Sequence, residues 1–153
     1  MSRSDRTGAT GATGSRRTRP NPTVDRLFVY GTLRQGQTAR AVVMPHVDRW
    51  EPATTPGRIY AFPMGYPGLV DGDGVVVGEL CVLTELAAAL ALLDAFEGAD
   101  FVRMLRQVTC ADGRVETAWV YQLADPTTAD RYGEHIPDGD WVAFWRRALG
   151  SGS

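Results

Sequence analysis

The sequence predicts an α+β domain, and three observations carry that reading. Five runs have strand character, over 26–30, 57–62, 75–83, 101–110 and 115–123, each short and rich in β-branched or aromatic residues. Three runs have helical character, over 38–44, 84–97 and 141–149. The length of 153 residues and the 44% hydrophobic share fit one domain with a proper core.

Residues 1–24 hold Gly, Ser, Thr, Arg and Pro and, between Met1 and Val24, no large apolar side chain. They have nothing to bury and read as a disordered N-terminal extension. Arg16-Arg17 invites a twin-arginine export reading, but no apolar stretch follows the pair. The domain is expected over 25–149, with 150–153 as a flexible C-terminus. The extension carries five Arg against one Asp, a net +4, and the remainder eleven Arg against seventeen acids, a net −6. That mildly acidic body does not suit nucleic acid. No apolar span is long enough for a membrane helix.

The first strand, Arg26 to Tyr30, ends abruptly at Gly31-Thr32, and the run Thr38–Met44 follows. A strand feeding a Gly loop and then a helix points several backbone N–H groups outward together, which suits an anion or a polarised carbonyl. Gly31 and Gly36 have the spacing of a phosphate-binding loop, yet Gln37 stands where that loop needs Lys, and the chain contains no Lys. Nucleoside triphosphate binding is excluded.

The strand ending at Phe62 leads into the turn-rich Pro63–Gly68. Asp71-Gly72-Asp73-Gly74 reads as a tight hairpin turn, because the calcium loop it resembles would need Glu where Val82 stands. Thr84 is expected to cap the next helix, with Glu85 in its first turn and Gly98 as its C-terminal stop. Ala111–Arg114 joins the last two strands as a hairpin. A loop over 124–140 is expected to lead to the final helix, whose Trp141, Phe144 and Trp145 form a core stripe.

Cys81 and Cys110 lie in separate strand runs without metal-ligand spacing, as buried free thiols of a reducing cytoplasm would. With two histidines in all, His46 and His135, neither a histidine metal site nor a histidine triad is expected, and no cofactor is implied.

One carboxylate breaks the helical pattern. At 100° per residue, Leu86, Leu90 and Leu93 share a face, and Glu97 falls in the middle of that stripe while Asp94 lies at its edge. A carboxylate on a buried face is costly unless it is paired or its pKa rises. Pattern alone leaves two readings open. Glu97 pairs with Arg103 or Arg106 or emerges at the helix end, or it serves as a general base with a raised pKa.

These residues resemble the γ-glutamylcyclotransferase-like family, in its AIG2-like or γ-glutamylamine cyclotransferase branch. The motifs are Val29-Tyr30-Gly31-Thr32-Leu33-Arg34, Pro56–Tyr60, Gly65-Tyr66-Pro67, Val77–Leu80, Leu93–Gly98, Phe101-Val102-Arg103, Ala118–Tyr121 and Gly139-Asp140-Trp141, in family order. The resemblance implies a small mixed β-barrel flanked by a few helices, with the ligand at its mouth. It also implies a reaction in which the α-amine of a γ-glutamyl group attacks its own γ-carbonyl, closing 5-oxoproline and expelling the attached amine. Glu97 would be general base and acid, and Tyr30, Gly31, Thr32, Leu33 and Tyr121 would hold the substrate. Phe101 stands where many members have Tyr. Two other readings keep the same pocket: a binding module for a γ-glutamyl-type ligand, and an amidohydrolase releasing free glutamate. The implied partner is a small-molecule γ-glutamyl substrate. Its leaving amine is open among an amino acid, a polyamine, an isopeptide ε-amine and a pathway intermediate, and the acidic body points to a cationic one. No pattern speaks to oligomeric state.

Overall fold

The computed structural model describes residues 24–31, 41, 44–63 and 65–151. The strands are β1 (Arg26–Val29), β2 (Val47–Ala61), β3 (Pro67–Leu83), β4 (Phe101–Cys110), β5 (Val115–Leu123) and the two-residue β6 (Glu134–His135). The helices are α1 (Leu86–Glu97), α2 (Thr127–Tyr132) and α3 (Trp141–Ser151), and a 3-10 turn spans Met44–His46. The N-terminal extension lies outside the described residues, as does most of the helix expected over 38–44, of which Ala41 is helical and Met44 opens the 3-10 turn.

The strands run in the order β3-β1-β5-β4-β2-β6, and β2 also pairs with β3, so five of them close on themselves as a barrel. β1 lies parallel to β5, and every other neighbouring pair is antiparallel. The fold is of the predicted α+β class and is the small mixed barrel flanked by helices that the family resemblance implies. Closure is narrow at two seams: β2 meets β4 at Ala53–Cys110 and Thr54–Thr109, and β1 meets β5 at Leu27–Trp119.

β1 is apolar at successive positions because both of its faces are covered. Phe28 and Tyr30 point into the barrel with Ile59, Leu69, Leu80, Val108 and Val120. Leu27 and Val29 point outward, where α1 lays Ala89, Leu90 and Leu93 on them. Trp141 from α3 plugs the interior and is 2% exposed, with Phe144 and Trp145 packed beside it, so the expected stripe is core. Cys81 and Cys110 are buried and form no disulfide.

The structure corrects three local expectations. Asp71–Gly74 does not reverse the chain: Leu69-Val70 and Val75–Leu83 all belong to β3 and pair in one direction with β2. Pro56 faces Val75 and Arg58 faces Val70, so residues 71–74 bow out opposite Gly57 as a wide bulge. Gly57, Gly72 and Gly74, with φ of 144°, 158° and 116°, let the long ribbon bend there without ending. Secondly, Thr84 does not cap α1. Its amide donates to the His46 carbonyl at 2.7 Å, and Glu85, left-handed at φ 51°, makes the corner between β3 and the helix. Gly98 does stop α1, its amide donating to the Asp94 carbonyl at 3.1 Å. Thirdly, the expected loop over 124–140 contains α2 and β6. Asp125 starts α2 by accepting from the Thr127 amide at 3.0 Å and its hydroxyl at 2.7 Å. Six and two residues are too few for a periodic pattern to mark.

Candidate active site

A cavity of about 370 Å³ opens where the end of β1, the C-terminal turn of α1 and the starts of β3 and β4 converge. Its walls include Tyr30, Gly31, Tyr66, Glu97, Phe101 and Tyr121. Gly31 is a close-approach position, since a Cβ there would strike the Pro67 ring and touch Trp141. Of the substrate-binding residues expected from the sequence, Tyr30, Gly31 and Tyr121 reach this cavity together with Glu97. Thr32 and Leu33 lie outside the described residues.

The two tyrosines have different commitments. The Tyr30 hydroxyl donates to the Tyr121 carbonyl at 2.6 Å and accepts from the Leu69 amide at 3.1 Å, tying β1 to β5 and β3. Burial, and then the nearby Glu97 charge, push its pKa up, so it stays a neutral structural crosslink. The Tyr121 hydroxyl donates to Asp94 Oδ1 at 2.6 Å. With its one proton committed, it offers only lone pairs to any other partner.

Asp94 is in turn gripped by Arg103, Nε to Oδ1 at 2.9 Å and the terminal nitrogen to Oδ2 at 3.1 Å. Those bonds hold the Asp94 carboxyl below its usual range. The Arg103 guanidinium also lies 4.5 Å over the Trp119 ring. Arg106 bonds Gln122, the Pro56 carbonyl and Asp71. Neither arginine that could have neutralised Glu97 does so.

Glu97 therefore has no hydrogen bond or ion pair among the described residues. It is half-buried at the end of α1, and burial raises its pKa from 4.5 to about 7. The last turn of a helix adds to the disfavour of a negative charge, because its free carbonyls carry the negative end of the dipole. The site is a carboxylate poised to exchange a proton near neutral pH, in a pocket walled by aromatic rings. Among the described residues no cluster of His, Cys, Asp and Glu could hold a metal ion. No helix is long and apolar enough to cross a membrane among those residues.

Sequence reasoning missed the Asp94–Arg103 pair and its hold on Tyr121. In the sequence Asp94 lies only at the edge of the α1 stripe, and Arg103 stands out only as a partner for Glu97. The available signal was alternation: Arg103 and Leu105 fall on the same side of β4, the side that faces α1 rather than the interior.

Residues 27–143 match the family model for gamma-glutamyl cyclotransferase, AIG2-like. The chain is 30% identical over 127 residues to the gamma-glutamylcyclotransferase family protein YtfP of Escherichia coli, covering 76% of this chain and 96% of that protein. Among solved structures it is similar to YkqA from Bacillus subtilis, with 26% identity and a TM-score of 0.65. That match takes in 82% of this chain but spans only 42% of the Bacillus chain. An AIG2-like protein from Mus musculus matches with 27% identity and a TM-score of 0.58, over 65% of this chain and 77% of that one.

Proposed function

From the chain's membership of the γ-glutamyl cyclotransferase, AIG2-like family, we propose that it closes 5-oxoproline from a γ-glutamyl amide and releases the attached amine. The observation that carries the reading is Glu97, a carboxylate with no hydrogen bond or ion pair among the described residues, its pKa raised by burial to about 7, on the wall of a substrate-sized cavity.

The substrate enters with its α-ammonium beside Glu97 and Tyr121. Tyr121, its proton given to Asp94, accepts a hydrogen bond from the ammonium. Ionised Glu97 removes one proton, and the freed amine attacks the γ-carbonyl carbon, whose π electrons move to oxygen. Backbone N–H groups of the segment from Tyr30 to Leu33 hold the glutamyl moiety and stabilise that oxyanion. When the carbonyl re-forms, the bond to the old amide nitrogen breaks and Glu97 returns its proton there. A second proton leaves the ring nitrogen and ends on the expelled amine, which departs as an ammonium ion. Nucleophile and electrophile belong to one molecule, so the protein's task is to fold the chain into an attacking pose and move protons.

The buried thiols Cys81 and Cys110 support a reducing compartment, the cytoplasm.

The test is mass spectrometry of products from a panel of γ-glutamyl amines and γ-glutamyl amino acids, with Glu97→Gln alongside. The expected result is 5-oxoproline from the parent protein and at least a thousandfold less from the variant, with unchanged circular dichroism. Turnover surviving in Glu97→Gln would refute the assignment of the base. Free glutamate would replace intramolecular attack with attack by water.

A further inference from the structure

The Tyr121 hydroxyl stands at the end of a line of contacts that begins outside the cavity. Trp119, on the same side of β5, is 7% exposed, and its indole nitrogen donates to the Val24 carbonyl at 2.8 Å. That ring is a fixed platform for the Arg103 guanidinium, which lies 4.5 Å over it. Arg103 faces Tyr121 across the ladder of β4 and β5, and its nitrogens fork both oxygens of Asp94 at 2.9 and 3.1 Å. Asp94 Oδ1 then takes the Tyr121 proton at 2.6 Å. Tyr121 is a wall of the cavity, whereas Asp94 and Arg103 are not.

Asp94 reaches the surface, where a lone ion pair would add little to stability. This pair does something else. A forked guanidinium fixes the plane of the carboxylate, and with that plane fixed the phenol has one direction for its proton. Burial, and then the bond to Asp94, raise the pKa of Tyr121, so the hydroxyl keeps that proton. The Glu97 charge also acts on this hydroxyl, which places the two groups in one part of the cavity.

We infer that Asp94 and Arg103 are positioning residues for the cyclisation: they hold the Tyr121 hydroxyl as a pure acceptor aimed at the α-ammonium beside Glu97, and so make a free α-amino group a condition of productive binding. This rests on the cyclotransferase reading and deepens it by assigning two residues that touch no substrate. An amide in place of the Asp94 carboxylate cannot serve both neighbours. In Asp94→Asn, a side-chain nitrogen turned to Tyr121 reverses the phenol's proton toward a substrate group that also donates, and one turned to Arg103 breaks the fork.

A double-mutant cycle tests this. Asp94→Asn is expected to lower kcat/KM about tenfold for the most readily converted γ-glutamyl amide, and Tyr121→Phe about as much. In the Tyr121→Phe background, Asp94→Asn should change kcat/KM by no more than about twofold, because Asp94 acts only through that hydroxyl. Arg103→Lys, which keeps the charge but not the fork, should give a smaller loss that also vanishes in Tyr121→Phe. The melting temperatures of Asp94→Asn and Arg103→Lys should stay within about 3 °C of the parent's. Calorimetry in the Glu97→Gln background reads binding without turnover, with γ-glutamylbutylamide and its counterpart lacking the α-amino group as probes. Asp94→Asn should weaken the first about tenfold and leave the second within about twofold. Multiplied losses in the double variant, an unchanged kcat/KM in Asp94→Asn, or an α-amino group that adds no affinity while Asp94 is intact would overturn the proposal. If the affinity pattern holds but no amide yields 5-oxoproline, the positioning stands and the cyclotransferase reading falls.

Discussion

Glu97 is held in a state that suits chemistry better than stability. Its pKa in the fold, about 7, lies above the 4.5 of an unperturbed glutamate, so the folded chain binds the proton more tightly than the unfolded one. The associated stability is complete below 4.5 and is lost as pH rises through about 7. At pH 8 the ionised carboxylate is expected to cost about 1–3 kcal/mol. Glu97→Gln removes that cost, so its melting temperature should exceed the parent's at pH 8 and the gap should close toward pH 5. A melting temperature lowered equally at both pH values would mean that Glu97 is a structural partner. Catalysis should follow the same titration, with kcat/KM rising through about pH 7 as the base ionises. Glu97 was legible in the sequence because a charge interrupting an apolar stripe is visible to simple rotation. The role of Asp94 was only half legible, because alternation puts Arg103 and Leu105 on one side of β4 but which side meets α1 depends on how the barrel is wound.

The long ribbon of β2 and β3 shapes the barrel, and its glycines mark where backbone and backbone meet. Gly78 in β3 lies beneath β1, where an added Cβ would run into the Val29 carbonyl and the Phe28 ring. Backbone and a core ring have little room to give, so Gly78→Ala is expected to destabilise the fold by about 2–4 kcal/mol, read by urea denaturation. A loss below about 0.5 kcal/mol would show that β1 can shift away from β3. Here sequence patterns served unevenly. Gly98 behaves as a C-terminal stop, and Ala111–Arg114 turns the hairpin of β4 and β5. Asp71–Gly74 has the composition of a hairpin turn but bows out of a continuous strand, since the same residues that permit reversal also permit a bulge. The choice between them is made by pairing with β2, a partner some fifteen residues away that no local pattern names.

At the scale of the whole molecule, the described fold begins at Val24, whose carbonyl accepts from Trp119 Nε1 at 2.8 Å. A truncation that starts at Val24 keeps this anchor and the family match from residue 27. Removal of residues 1–23 is therefore expected to leave both melting temperature and turnover unchanged. A fall of several degrees, or lost activity, would give the Arg-rich extension a part in the domain. Length and composition suggested one domain, the strand-like and helical runs its α+β class, and the family motifs implied its barrel. The closing pair, β1 against β5, was beyond local patterns: Leu27 faces Trp119 across 92 positions of sequence.

That pairing has a consequence for how the protein comes into being. β1 precedes every other described element in the chain, yet one of its two neighbours is β5, the last long strand among them. The Tyr30 hydroxyl, beside Glu97, completes its bonds only when Tyr121 has joined the sheet. A chain emerging from the ribosome can form the β2–β3 ribbon and α1 early, but the pocket waits for a contact of long sequence separation, which is slow to form. The cavity thus has no half-built version, and a nascent chain that ends before β5 holds Glu97 without the pocket around it.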